Sequence, residues 1–482
     1  MQSRRDQVQA HLFVMGRVSA GLLRAEPDAP DSPTGRTNRG AVIGLAVALL
    51  IGLGAGVYGL VKPGGATGWR KAGTVVVVKE TGTRYLFAGG QLHPVLNQAS
   101  ARLLSGDQLK VDEVSRRSLE GTDRGTAVGI VGAPDGVPAP ADLDRSDWLA
   151  CTVQAAGGPA GRAAPLLSLA VGSRPGGLPA GDRAALVAGP DGVPHLLWHG
   201  RRYALDVEGG AVRALGYAAA TPAPVPAAFL QTFAPGPDLR RPELPGRGTA
   251  GPDLSGRKTR VGQLVAGAGE DRYVLTAQGL VQVSTTLLAL LQGDPRTQEQ
   301  AYGGGAVTVD PVGAADLAAH SAPAAAAAEI LQTNLPARPP GLVPVGAGQA
   351  LCAGLATTGA GEVDLRVLDA TAVLGLPPTT EPGVVPSCTP ADRIAVRPGG
   401  GALVRALSGA GQGSTLYLVT DNGVRYPLAP AAAERLGLAG AAPVAVPGRL
   451  LSLLPTGPSL DPAALTGTGL VQPPATDGKC AR

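Results

Sequence analysis

The segment of this chain that comes nearest to phosphate chemistry is GPDLSGRKT, Gly251 to Thr259. A phosphate-binding loop needs G-x-x-x-x-G-K-[ST], so that backbone amides cradle the anion and the lysine reaches it. Here Arg257 separates Gly256 from Lys258, no hydrophobic strand leads in, and no helix clearly follows. The segment reads as a basic Pro/Gly loop. His195 and His199 stand four apart in PHLLWHG, a strand-like run that would place both on one face. No cysteine or carboxylate cluster accompanies them, and a zinc site takes three or four ligands. There is no G-x-S-x-G nucleophile elbow. The glycines Gly399–Gly401 lie in RPGGGALV, without the strand-before, helix-after setting of a phosphate loop, and read as a flexible turn into a core strand. The sequence therefore offers no catalytic constellation, no metal site and no cofactor motif. What remains is four cysteines, Cys151, Cys352, Cys388 and Cys480, which allow three pairings that sequence does not strictly choose among. Cys151 (WLACTV) and Cys352 (QALCAGL) share apolar contexts, which favours Cys151–Cys352. Closing so long a loop would stabilise by roughly 4 kcal/mol or more in the chain-entropy model.

The elements around these residues are set by an unusual composition. The 482 residues include 71 Gly and 44 Pro, with 3% aromatic and 16% charged residues. Much of the apolar fraction is Ala, so any core must come from scattered Val, Leu and Ile runs separated by loose connectors. A net charge of +4 without a block of like charges, and few aromatics, argues against nucleic-acid binding.

Ala41 to Val61 is an uncharged run of 21 residues, AVIGLAVALLIGLGAGVYGLV. About 20 apolar residues span a bilayer. Forty residues precede the run and no A-x-A site follows it, so it reads as an uncleaved signal anchor. Arg4, Arg5, Arg17, Arg24, Arg36 and Arg39 favour a cytoplasmic N-terminus, opposed by Lys62, Arg70 and Lys71 beyond the span. The cysteines point the same way, since an extracytoplasmic location permits disulfides. In the tail, Val8, Leu12, Met15, Val18 and Leu22 recur at three- and four-residue spacing, with Arg4, Arg5 and Arg17 off that stripe. Such a basic amphipathic helix can lie on an anionic leaflet or dock on a partner. Glu26 to Asn38 reads as a linker.

Beyond the span, Trp69 opens an outer domain with strand-like runs Thr74–Lys79 and Arg84–Phe87 joined at Thr81-Gly82. A unit then recurs. YLFAGGQLHPVLNQASARLLSG starts at Tyr85 and YLVTDNGVRYPLAPAAAERLGLAG at Tyr417, with weaker copies at Tyr273 and His195. Each reads as two short strands about a tight turn, then an Ala/Arg/Leu helix. Pro94 and Pro427 fall where the helix would start. The segments left over, roughly 121–188 and 341–404, would supply the centre through Ala127–Val131, Leu166–Val171, Val363–Leu368 and Ala402–Leu407.

These residues resemble a known family. The tail from Gln7 to Leu22, the apolar span, Gly68-Trp69-Arg70, KETGTRYLFAGGQLHPVLNQASARLL, VGIVGAPDGVPAPADL and DWLAC look like EccB, a membrane-anchored core component of the actinobacterial type VII (ESX) secretion system. The resemblance covers nearly the whole chain. It implies a cytoplasmic N-terminus, a large repeat-containing extracytoplasmic domain, dimerisation, and assembly with EccC (the motor ATPase), EccD, EccE and the mycosin protease. ATPase activity has been suggested for the family. The chain departs from the family pattern in its weak middle repeats and in Pro-rich insertions around Thr221–Arg260.

The expected fold is α+β, with one N-terminal transmembrane helix and then an extended extracytoplasmic domain of four small hairpin-plus-helix repeats around a discontinuous β-rich core. The expected divisions are a cytoplasmic tail (1–40), the transmembrane helix (41–61), linker and repeat 1 (62–120), a first core segment (121–190), repeat 2 with its insertion (191–256), repeat 3 (257–300), a second core segment (301–410), and repeat 4 with the C-terminal tail (411–482). The expected function is that of a structural core subunit of a secretion complex, with Arg4, Arg5 and Arg17 touching a partner or lipid and the outer domain self-associating. The competing classes are an envelope-anchored hydrolase, either nucleotidase or cell-wall enzyme, and a generic cell-wall-binding anchor.

Overall fold

The computed structural model describes residues 3–25, 33–61, 67–106, 110–155, 164–172, 177–331, 335–356, 362–373, 375–408, 413–465 and 469–473. Most of the proposed linker 26–38, residues Lys62 to Gly65 and Cys480 lie outside them. The fold is mixed α+β. A helix over Arg4–Arg24 is followed by an apolar helix over Pro33–Val61. The second helix starts before Asn38 because Pro33 suits the first turn of a helix and nothing in Thr34–Gly40 stops it.

Four small sheets lie around one larger sheet. The first consists of Val75–Val78, Arg84–Ala88, Gln91–Pro94 and Val111–Val114. Val75–Val78 is a β-branched run with strands on both sides, which suits its buried pattern. It pairs antiparallel with Arg84–Ala88, which pairs antiparallel with Gln91–Pro94. After the helix Gln98–Ser105, Val111–Val114 returns parallel to the first strand. The same order, third-second-first-fourth with the fourth parallel to the first, holds in the other three small sheets. In the second sheet, Ala185–Ala188, Pro194–Trp198 and Arg201–Ala204 are followed by Ala223–Pro224. In the third, Leu264–Ala266, Arg272–Thr276 and Gly279–Gln282 are followed by Val309–Pro311. In the fourth, Gly401–Leu407, Leu416–Thr420 and Arg425–Leu428 are followed by Val444–Pro447. In the second sheet a fifth strand, Ala234–Pro235, pairs in parallel with the third, and in the other three a fifth segment bridges in parallel to the third strand, at Leu92↔Arg124, Leu280↔Ser321 and Leu428↔Leu460.

The parallel fourth strand has no counterpart in the hairpin-plus-helix reading, because its short runs carry no alternation of their own. Pro94 and Pro427 are also not at helix starts. Each sits in the third strand opposite the opening tyrosine, Tyr85↔Pro94 and Tyr417↔Pro427. The missing N–H costs no ladder bond in the first sheet, since Val95 donates to Arg84 O there. The helix instead starts at Asn97, whose side chain accepts from the Ser100 N–H.

The central sheet has six strands in the order Arg393–Ala395, Ala164–Ala170, Trp148–Ala155, Gln349–Leu355, Val363–Asp369, Leu178–Pro179. Two hairpins thus meet through their first strands. Both faces are covered. Trp148, Ala150, Leu351 and Ala353 point to one buried cluster, and Leu149, Cys151, Ala350 and Cys352 to the other, which is the period-two alternation of a strand. Two of the four segments expected in the centre lie elsewhere. Ala402–Leu407 opens the fourth small sheet, and Ala127–Val131 contributes Gly129–Ile130, which pairs with Leu470–Val471. Run length and β-propensity mark a strand but do not say which sheet takes it.

Candidate functional site: an exposed N-terminal helix and a cross-linked outer domain

Arg4, Arg5 and Arg17 all lie on the helix Arg4–Arg24. It begins at Ser3, whose N–H donates to the Asp6 carboxylate at 3.1 Å, and closes at Ala25 with φ 56°, whose N–H returns to Gly21 O. Val8, Leu12, Met15, Val18 and Leu22 are between 50% and 81% exposed, and Phe13 and Leu23 are exposed as well. The Arg17 guanidinium stands 5.7 Å from the Phe13 ring centroid. The helix thus leaves a row of large apolar side chains exposed. The following helix contains an apolar stretch over Thr37–Tyr58, 22 residues with a mean hydropathy of 2.3. At 1.5 Å per residue it is about 33 Å long, enough to cross a hydrocarbon core.

In the outer domain, Cys151 and Cys352 are directly opposite in the central antiparallel pair and are disulfide-bonded, both fully buried. Cys388 is disulfide-bonded as well. A second cross-tie is ionic. The side chain of Asp294, fully buried, meets Arg247 Nη1 at 2.7 Å, Arg296 Nη2 at 3.2 Å and Arg241 Nη1 at 3.7 Å. Burial alone would raise its carboxyl. Hydrogen bonds from Arg296 and the charges of Arg247 and Arg296 outweigh that and hold it below the ordinary carboxylate value. Arg247 also donates to Thr297 Oγ1 and Pro242 O, and Arg296 to both Glu243 oxygens. The cluster therefore clamps the 241–247 segment, which leaves the second small sheet, onto the third.

The residues weighed for chemistry are dispersed. Gly251–Thr259 forms a two-stranded hairpin, Ala250–Leu254 against Arg257–Arg260, turning at Ser255-Gly256. Lys258 points to solvent 3.8 Å from Asp253. Successive amides of a strand pair cannot converge on a phosphate as those of a loop entering a helix do. His195 and His199 are not two residues of one strand. The strand ends at Trp198, and His199 occupies the turn with φ 46°, stacked on Trp198 and 3.1 Å from Asp182. His195 Nδ1 contacts Val193 O. Among the described residues no group of three or more His, Cys, Asp and Glu could hold a metal. Gly399 and Gly400 lead into the strand Gly401–Leu407, with Gly399 N–H bonded to Asp421.

Sequence reasoning missed three arginine arrangements. These are the Asp294 cluster, the pair Arg102 and Arg435, and Arg201 and Arg449, which line one cleft beside the central sheet. Only Arg102 and Arg435 left a trace, since they occupy the same place before Leu in SARLL and AERLG.

One long apolar helix joined to a large, disulfide-tied α+β domain defines a membrane-anchored protein. Its class is sharpened by comparison. The family model described as "Type VII secretion system ESX-1, transport TM domain B" matches residues 1–470, so the chain belongs to the EccB family of type VII secretion systems. The ESX-3 secretion system ATPase EccB3 of Mycolicibacterium smegmatis is 31% identical over 485 residues, covering 95% of this chain and 89% of that protein. The ESX-2 secretion system ATPase EccB2 of Mycobacterium tuberculosis is 27% identical over 492 residues, covering 95% and 93%. Among solved structures, an EccB3 dimer from the ESX-3 core complex matches 82% of this chain and 100% of that one, at 27% identity and TM-score 0.61. A chain of the intact ESX-5 inner membrane complex matches 100% and 98%, at TM-score 0.62 and 21% identity, which shows the shared fold.

Proposed function

We propose that this chain is a structural core subunit of a type VII protein secretion complex, building its membrane and extracytoplasmic assembly. The observation that carries the reading is family membership over residues 1–470, from tail helix to outer domain. The N-terminus is cytoplasmic and the outer domain extracytoplasmic. The buried Cys151–Cys352 disulfide supports that orientation, because such bonds persist in oxidising compartments. Two copies associate through their outer domains, a reading supported by the solution of a related EccB3 as a dimer. The four small sheets are four copies of one repeat around the central hairpins. On the cytoplasmic side, Arg4, Arg5 and Arg17 contact a partner or lipid beside the exposed apolar stripe. The partners are EccC, EccD, EccE and the mycosin protease.

The test is mild-detergent purification of tagged protein from its native cell, with mass spectrometry of the intact complex. Recovery with an FtsK/SpoIIIE-type ATPase and a multi-span membrane protein supports the reading. Recovery alone, or with cell-wall enzymes only, sinks it. The second reading, an envelope-anchored hydrolase, draws on the word ATPase in the names of the relatives. Turnover by the purified chain that one polar substitution abolishes would favour it.

A further inference from the structure

We propose that the cleft between the second small sheet, the central sheet and the turn after the fourth small sheet binds an oxyanion, a carboxylate or phosphate group held between Arg201 and Arg449. The cleft has a volume of about 610 Å³, and its charged walls are His199, Arg201, Glu362, Asp364 and Arg449. That size lies within the usual range for small-molecule sites.

Both guanidinium groups are tied to one strip of backbone. Arg449 Nε donates to Thr232 O at 2.6 Å, and Arg201 Nη1 to Pro235 O at 3.2 Å. A guanidinium carries five N–H donors, and among the described residues neither arginine makes a further side-chain hydrogen bond. Neither forms an ion pair among the described residues. Burial, and then the neighbouring charge of Arg201, depress the Arg449 guanidinium below its ordinary value, as expected for like charges without a counter-ion.

The other charges in the cleft leave this excess in place. Asp364 is taken by Arg366 at 2.8 Å, and His199 faces Asp182. Glu362, exposed, makes no ion pair among the described residues and offsets one of the two positive charges. An arriving oxyanion would meet two planar donors suited to bidentate contact and relieve their mutual repulsion. The cleft wall is firm where the second sheet meets the centre. A Cβ on Gly200 would stand 2.6 Å from Val363 O, so the turn and the central strand are in direct contact.

The experiment is isothermal titration calorimetry of the detergent-solubilised full chain at fixed ionic strength, with inorganic phosphate and, separately, citrate. Saturable binding is expected, weakened about tenfold in Arg201→Gln by loss of charge-assisted hydrogen bonds. Arg449→Gln should weaken it similarly, and Glu362→Gln should tighten it several-fold. Arg338→Gln, which removes an exposed arginine paired with Glu270, should leave it unchanged. Saturation by phosphate alone assigns the site to phosphate-bearing ligands, and by citrate alone to carboxylates. If Arg449→Gln fails to fold, the opposite responses of Arg201→Gln and Glu362→Gln decide the matter. No saturable binding of either anion, or unaltered affinity in Arg201→Gln, overturns the proposal. Either result is independent of the secretion reading.

Discussion

Arg102 and Arg435 each donate to a carbonyl of the other's helix, Arg102 Nη1 to Leu436 O and Arg435 Nη1 to Leu103 O, both at 2.9 Å. These carbonyls lie at helix C-terminal ends, where four acceptors lack intrahelical partners. The first small sheet is thereby bound to the fourth across more than 330 residues of sequence. A matching contact joins the second and third. There a Cβ on Gly293, after the helix Thr285–Gln292, would lie 2.4 Å from the Ala214 Cβ. Reciprocity extends to the connectors, with Leu143 bridging Gly401 and Leu342 bridging Ala184. Cys151 and Cys352 face each other at the midpoint. The chain thus runs small sheet, central hairpin, small sheet twice, and the two runs interlock head to tail.

Removing either arginine leaves a helix-end carbonyl without its charged donor in a partly buried place. Arg435→Ala and Arg102→Ala should each lower unfolding free energy by about 1.5–3 kcal/mol. The double variant should cost less than the sum, because both contacts bridge the same two helices. Chemical denaturation of the purified chain measures this. Strict additivity would show that the two contacts act independently.

Asp294 gives the outer domain a pH dependence of known sign. Its folded value lies below the ordinary 3.8. The stability it supplies is therefore fully present above that ordinary value and is lost as pH falls through the lower folded value. Asp294→Asn strands Arg247 in the interior and should cost about 3–5 kcal/mol at neutral pH. It should also flatten the stability curve below about pH 4. A variant that keeps the same acid limb would assign that limb to other carboxylates.

What was legible in the sequence follows from what each signal encodes. The apolar run 41–61 was readable because bilayer thickness sets a length that few soluble segments meet. Tyr85 and Tyr417 marked equivalent strands because tight turns and flanking apolar residues are local chemistry. The placement of Gly401–Leu407 was not readable. Its pattern says buried strand, and its partners, Leu416–Thr420 and Val444–Pro447, are chosen by packing. The Asp294 and Arg201–Arg449 groupings were hidden for the same reason, since each joins segments far apart in sequence and single charges carry no periodicity.

Gly200 offers a test of the contact between the second sheet and the centre. It sits at φ 70° beside His199, also at positive φ, in the two-residue turn of a hairpin. Gly200→Ala combines left-handed strain with a clash against Val363 O. A loss of about 1–3 kcal/mol is expected. Gly216→Ala, at φ 85° with open space around its Cβ position, should cost only the conformational part. Equal losses in the two would mean that Val363 yields and that the contact contributes little.

The Cys151–Cys352 disulfide should also stabilise the chain strongly, because of where it stands in the sequence. Trp148–Ala155 and Gln349–Leu355 pair directly in the central sheet although Cys151 and Cys352 are 201 residues apart in sequence. A cross-link over so long a loop removes more conformations from the unfolded chain than a local one, about 5 kcal/mol in the chain-entropy model. Replacing both residues, Cys151→Ala with Cys352→Ala, avoids leaving a single thiol in the buried face lined by Leu149, Val153 and Leu368. The double variant should unfold at clearly lower denaturant than the oxidised parent, with a loss of about 2–5 kcal/mol. Its midpoint should approach that of the reduced parent once Cys388→Ala, measured in parallel, has accounted for the bond at Cys388. An unchanged midpoint in the double variant would mean that the central strands hold the two hairpins together unaided.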